Sequence, residues 1–488
     1  MSVKMKLNKK DLTNKILGCW IGKNIGGTMG APYEGMQQLN DISGFNSPKG
    51  EPLPNDDLDL QLVWLKAMQD VGPKFLTANV LADYWISHIS PHCNEYGIGK
   101  ANIGLGLLPP LSGEYKNFWK NSNGAWIRSE IWACLAPGIP DVAVKYAIMD
   151  ASIDHGLSEG TYAEIFPASL ESMAFFESDL RVLIYKALKY IPEDCRVAKS
   201  IKIVLDSYDK DVSWQEAREL VLKDSADLGW FQAPANVAFT VLGLIYGEGD
   251  FKKSLIYAIN CGDDTDCTGA TCGAVLGIIM GVDNIPADWR EYIGDRIMSI
   301  CINGDHVGRC PKSCTELTER VLDTLPVVLN AYGIDVEYTD GSNDTENAIT
   351  ATIKEIDTYI DLKDYFKRIF ARSPYSFELP RITHSKAIVE YENEPFVTPN
   401  SDFKVKIRIE KYTMDVFHFD FNVSLPEGWT AEYPKHCLNY GTKCWEEFAD
   451  WEMTIHVGEK VDTINKIPVI ITPKGYATPI LVPIVLLG

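Results

Sequence analysis

Two short runs of the sequence set several carboxylates side by side where the flanking residues are apolar or glycine-rich: PNDDLDLQL at residues 54–62 and NCGDDTDCTGAT at 260–271. Neighbouring carboxylates repel one another, and at the buried start of an apolar helix a bound cation is the usual relief. In the first run Asn55, Asp56, Asp57 and Asp59 crowd the opening turn of LQLVWLKAMQ, and in the second Asp263, Asp264 and Asp266 precede the small-residue stretch TGATCGAVLGIIMG. Oxygen ligands without paired cysteines or histidines favour magnesium, with manganese and calcium as alternatives. The competing reading is that these residues only cap their helices and complement the dipole, for which a single Asp would suffice.

Two further segments carry polar groups that could meet a substrate. The run GCWIGKNIGGTMGAPYEG at 18–35 has glycines, Gly26 and Gly27 among them, that allow either close approach to a ligand or tight helix packing, and it ends on Glu34, a free carboxylate on a loop. In DHGLSEG, residues 154–160, His155 and Glu159 lie four apart, although a lone histidine is more often structural. Tyr33, Phe118, Trp119 and Trp126 fall on predicted loops, where they could stack on a base or sugar or simply pack. Cys301, His306, Cys310 and Cys314 invite a zinc reading but lack paired CxxC spacing.

The elements that must position these groups change character along the chain. From about residue 10 to about 335 apolar residues recur every three and four positions, as in AEIFPASLESMAFF and ELTERVLDTLPVVL, so a helical domain is expected over 1–335. Residues 337–351 are polar and turn-prone, and a helix is expected over Thr352–Ala371, so 336–373 reads as a linker with a helix. Beyond Pro374 short alternating runs such as FKVKIRIEKY and IPVIITP predict a β-sandwich of about seven strands over 374–488.

Composition bounds the function. With 67 acidic against 46 basic residues, the net charge of −21 repels nucleic acid and anionic membranes. Neither a signal peptide nor a bilayer-spanning stretch is evident, and twelve scattered cysteines read as reduced thiols, so a cytoplasmic protein is expected.

Taken in order, these segments resemble the ADP-ribosylglycohydrolase family over roughly residues 10–330. Gly18 to Glu34 is similar to the family's opening segment, with Asn24 where an Asp is usual; Asn55, Asp56, Asp57 and Leu58 stand at its T-D-D-T motif; Gly262, Asp264, Thr265, Asp266 and Cys267 match its G-x-D-T-D-T motif. Gly124 to Arg128 and His155 are similar to the family's intervening G-x-x-x-R segment and histidine. The resemblance implies a mostly α fold, an orthogonal helical bundle, binding two magnesium ions through Asn55, Asp56, Asp57, Asp264 and Asp266. Cys267, Thr268 or Asp59 would stand in for the family's hydroxyl ligand. It further implies a small-molecule or ADP-ribosylated substrate met by Asn24, Gly26, Gly27, Gly124, Trp126, Arg128, His155 and Glu159, and cleavage of a bond to ribose with Glu34, Asp56 or Asp57 moving the proton. A nucleoside or furanosyl glycan would use the same chemistry, and a catalytically silent binding protein is the reading from another class.

Overall fold

The computed structural model describes residues 3–304, 310–343, 366, 368–380, 384–411, 416–439 and 448–488. Helices dominate up to residue 330, and a β-rich region of antiparallel sheets follows. The apolar periods read from sequence form the helices Asp56–Val71, Glu159–Ala174, Phe251–Asn260 and Cys314–Asn330. The second and fourth run on through Pro167 and Pro326, because burial of their flanking apolar faces outweighs one missing backbone donor. Among the described residues no helix is long and apolar enough to cross a membrane.

One helix pair organises the helical part. Lys9–Gly30 and Thr265–Met280 pack antiparallel, with Gly18, Gly22 and Gly26 each against Gly277, Gly273 and Gly269. A Cβ on Gly26 would lie 2.0 Å from the carbonyl oxygen of Gly269, so the backbones touch directly. The four-residue spacing of these glycines puts them on one stripe of each helix. Packing, not a ligand, is therefore what Gly26 serves; Gly27 faces the Asn55 side chain, 2.4 Å from where its Cβ would sit.

The helical region is not purely α. Val3–Asn8 pairs in parallel with Ile334–Thr339, with Met5 opposite Val336, and so clasps the two ends of the region together. The alternation of VKMKLN and IDVEYT was too short to outweigh their helical surroundings, and the second strand crosses the boundary expected at 335/336. Of the helix expected over Thr352–Ala371, all but Phe366 and 368–371 lies outside the described residues; Arg368–Phe370 are helical.

The β-rich region has nine strands among the described residues rather than about seven. A four-stranded sheet runs in the order Ile480–Leu487, Ile464–Pro473, Phe417–Val423, His436–Asn439; a five-stranded sheet runs Ser376–Glu378, Ser385–Tyr391, Asp402–Lys411, Phe448–His456, Thr430–Glu432. The additional strands are the short ones, with too few residues to show alternation. Both sheets feed one apolar cluster, in which Phe403, Val405 and Ile407 meet Ile467, Val469 and Ile471, and Leu107, Leu111 and Tyr115 of the helical region enter it.

Candidate active site

Because the glycine-paired helices run antiparallel, the C-terminal end of Lys9–Gly30 lies beside the N-terminal end of Thr265–Met280. That arrangement brings Glu34, just past the first helix, to Asp264 and Asp266 at the start of the second. The clasp is made by backbone: Gly35 N–H donates to Asp263 O and Asp263 N–H to Met36 O, each at 2.8 Å. Asp263 takes φ +65°, and its carboxylate accepts from Phe231 N–H and Asn236 Nδ2. It is a structural clamp, whereas its neighbours face inward.

The first acidic run joins from the helix Asp56–Val71. Asn55 caps it, its Oδ1 accepting from Asp57 N–H at 2.8 Å, so the asparagine oxygen expected on a cation is already engaged. Asp56 Oδ2 accepts from Tyr96 Oη at 2.8 Å. Asp57 is buried, with Cys267 Sγ 3.3 Å from its Oδ1 and Lys23 Nζ 3.6 Å from its Oδ2. Oxygens of Glu34, Asp264 and Asp266 lie within 4.8 Å of one another, and so do the ligand atoms of Asp57, Asp266 and Cys267. Asp266 belongs to both groups and joins the two runs.

The electrostatics of this cluster would suit a bound cation. Asp57 Oδ2, Asp264 Oδ1 and Asp266 Oδ1 are buried without a hydrogen-bond donor. Buried oxygens that lack a hydrogen-bond donor are costly, and although Lys23 offsets part of this at Asp57, a hard cation is a partner that such a set fits. Burial, with the repulsion of neighbouring carboxylates, pushes the Asp57 and Asp266 carboxyl groups well above their usual range, and Lys23 only partly opposes this at Asp57. Burial raises Asp264 well above its usual range as well. Glu34 is open to solvent on one side, yet loss of water around its carboxyl and the charge of Asp56 raise it too.

Residues not singled out from sequence hold this cluster in place. Asn123 Nδ2 donates to Asp264 Oδ2 at 2.6 Å. Lys23 bonds Glu130 at 2.7 Å and Ile127 O at 2.8 Å, while Gln61 bridges Glu130 and the Ile131 N–H. A lysine inside a glycine-rich apolar helix was the available signal for Lys23. Asn123 gave none, because its partner is 141 residues away.

Several expected roles change. Trp126 is fully buried and its indole N–H donates to Asn123 Oδ1 at 3.2 Å, so it offers no stacking face. Arg128 is fully buried too, bonded to Asp150 at 2.6 Å, to Asp154 at 2.7 Å and to Gly124 O at 2.8 Å, so its guanidinium is held within the protein interior. His155 lies between Asp154 and Ser122. Glu159 accepts from Arg196 and Val197 N–H at the start of another helix, Arg196–Asp209. Gly124 gives room to Glu95, and Asn24 donates to Arg296 O. Asp59 stands in neither ligand group; its Oδ2 accepts from Ile300 and Cys301 N–H, and its Oδ1 is buried without a hydrogen-bond partner. Thr268 Oγ1 donates to Thr265 O at 3.2 Å.

One aromatic lies beside the loop that carries Glu34: Trp230, 47 % exposed, stacks at a tilt on Phe231 and lies 3.7 Å from where a Cβ on Gly35 would be, while Phe118 is 89 % exposed. Phe231 itself has φ +55°, an unusual conformation for a bulky residue. Of the cysteine–histidine group, Cys301, Cys310 and Cys314 are buried, and His306 lies outside the described residues.

A 58-residue stretch is 44% identical to the ADP-ribosyl-[dinitrogen reductase] glycohydrolase of Rhodospirillum rubrum, covering 12% of this chain and 20% of that protein. Solved structures with partial likeness include a FixG-related protein from Vibrio parahaemolyticus, 11% identical over 22% of this chain and 97% of that one, at a TM-score of 0.19. The yeast GGA1 GAE domain is 12% identical over 23% and 99%, at a TM-score of 0.17, and at such scores neither carries an argument. The ADP-ribosylglycohydrolase family model matches residues 8–319, the span that holds every carboxylate of the cluster, and the chain belongs to that family.

Proposed function

We propose that this protein hydrolyses a glycosidic bond to ribose, with an ADP-ribosyl group as the substrate, and that Asp57, Asp264 and Asp266, with Asp56 beside them, hold a divalent cation, magnesium in the family's usual form. The observation that carries this reading is the set of three buried, donorless carboxylate oxygens converging from two helix starts. The name of the Rhodospirillum rubrum relative supports the ADP-ribosyl part. A bound cation supplies Lewis-acid polarisation and a more acidic water.

The chain's own residues divide the remaining work. Glu34 is the cluster carboxylate that reaches solvent, which suits it to take a proton from an attacking water at its Oε atoms. Asp57 is enclosed by Lys23 and Cys267 and acts as a holder rather than a proton carrier. Trp230 offers a flat face beside Gly35 for the planar part of the substrate. The helical region, 1–335, is then the catalytic unit. The two sheets, which share one apolar cluster, form a sandwich that braces the segment Leu107–Tyr115.

The test is a hydrolysis screen with and without magnesium or manganese, offering ADP-ribosyl-arginine, ADP-ribosyl-serine, nucleosides and chromogenic furanosides to the native protein and to Asp56→Ala and Asp266→Ala. Release of ADP-ribose that needs the cation and both aspartates is the expected result. Cleavage of simple furanosides alone would redefine the substrate, and full activity in both variants would overturn the scheme.

A further inference from the structure

We infer that Cys267 is a direct sulfur ligand of the cation at the carboxylate cluster, and that it shifts the preference of this site from magnesium towards borderline ions such as cobalt and zinc. This rests on the cation reading above and goes beyond it by naming a ligand and the class of metal it selects.

The geometry sets one further side chain, Cys267, directly among the carboxylates. Four side chains near the carboxylates could add a ligand atom: Asn55, Asp59, Cys267 and Thr268. Asn55 Oδ1 accepts from Asp57 N–H, Asp59 Oδ2 accepts from Ile300 and Cys301 N–H, and Thr268 Oγ1 donates to the Thr265 carbonyl on its own helix. Asp59 keeps one oxygen, Oδ1, without a hydrogen-bond partner but does not group with Asp57 and Asp266, whereas Cys267 Sγ does, the three ligand atoms all lying within 4.8 Å of one another. Its Sγ is 3.3 Å from Asp57 Oδ1, so thiol and carboxylate turn towards the same space. Beside them are the donorless oxygens Asp57 Oδ2 and Asp266 Oδ1, on side chains that are at least nine-tenths buried.

The chemistry follows from softness. Magnesium gains almost nothing from sulfur, whereas zinc and cobalt bind thiolate at about 2.3 Å with large gain. On binding, the S–H bond breaks, the sulfur electron pair forms the metal bond, and the proton leaves to solvent: Cys–SH and M²⁺ give Cys–S–M⁺ and H⁺. A hydroxyl at this place would leave the set all-oxygen and favour the harder ion.

The test is spectroscopic and independent of turnover. The native protein, Cys267→Thr and, as a control, Cys272→Ser are titrated with Co²⁺ and followed for the near-ultraviolet sulfur-to-cobalt charge-transfer band, and calorimetry compares Zn²⁺ with Mg²⁺. Expected are the band in the native protein and in Cys272→Ser, its loss in Cys267→Thr, and a fall of roughly tenfold or more in the zinc-over-magnesium affinity ratio of that variant, which still binds magnesium through its carboxylates. Cobalt binding to the native protein without the band, or a band that survives in Cys267→Thr, overturns the sulfur ligand while leaving the cation site intact. Absence of binding by any divalent ion overturns both this inference and the reading it rests on.

Discussion

Gly22 and Gly273 face each other so closely that a Cβ on either would lie 2.0 or 2.1 Å from the other's carbonyl oxygen. This contact sets the separation of the two helices whose ends carry Glu34 and Asp266. Gly22→Ala must therefore push the helices apart over their whole length. Overpacking of this kind costs about 1–3 kcal/mol or more, and thermal denaturation should show it as a marked drop in Tm. Cation affinity should fall as well, because Asp266, at the start of the second helix, shifts relative to Asp57. A variant with unchanged Tm would mean that the glycine stripe does not set the helix spacing.

Much of this organisation was legible in the sequence. The carboxylates of both runs meet because capping, apolar period and small-residue spacing are local signals, and Asp57, Asp264 and Asp266 lie within a few residues of helix starts. Roles that depend on distant partners were not legible. Arg128 has the look of a substrate-binding arginine, and only the fold reveals that Asp150 and Asp154 occupy its guanidinium. Trp126 reads as an exposed loop aromatic because the sequence around it is rich in Gly and Asn, yet it is sealed under the cluster. Trp230 was missed in turn, since a Trp-Phe pair before a helix reads as packing.

The buried pairing of Arg128 with Asp154 predicts a pH dependence of stability. Burial alone would raise Asp154, but Arg128 and His155 hold its carboxyl down at about 2. A carboxyl depressed in the folded state adds stability above its unfolded value, near 4, and loses it as pH falls through about 2. Asp154→Asn should thus destabilise by about 2–3 kcal/mol at pH 7, with the gap to the native protein closing between pH 4 and pH 2 in denaturant titrations. A gap that stays constant over that window would refute the ion pair's contribution.

The segment Leu107–Tyr115 ties the β-rich region to the helical one. Leu107, Leu111 and Tyr115 are buried in the β-side apolar cluster. A chain ending after Arg372 would expose all three, and soluble yield should collapse. Restoring solubility by changing these three residues to polar ones would show that lost cover, and not lost folding of the helices, is the cause. If the truncated chain is soluble without them, the brace is dispensable.

Trp230 stands beside the glycine that follows Glu34. Stacking on an exposed aromatic contributes about 0.5–1.5 kcal/mol, so Trp230→Ala should raise KM by about twofold to tenfold and leave kcat nearly unchanged. Trp230→Phe should restore most of the affinity. Loss of kcat at constant KM would show instead that the loop acts on the carboxylates through Phe231 and Asp263.

Glu34 differs from the other cluster carboxylates in facing both the cluster and solvent. Its replacement should therefore separate chemistry from structure. Glu34→Gln keeps the size of the side chain and removes its ability to take a proton, and loss of a general base costs about 10²–10⁴-fold in rate. The expected pattern is a fall of that size in kcat, a KM close to native, an unchanged Tm, and retained cation binding through Asp57 and Asp266. The same loss in Asp57→Asn should instead come with weaker cation binding, because Asp57 is enclosed by Lys23 and Cys267 and is a holder of the ion in the proposed scheme. If Glu34→Gln retained native kcat, proton transfer would have to pass through Asp56, the remaining partly exposed carboxylate of the first run.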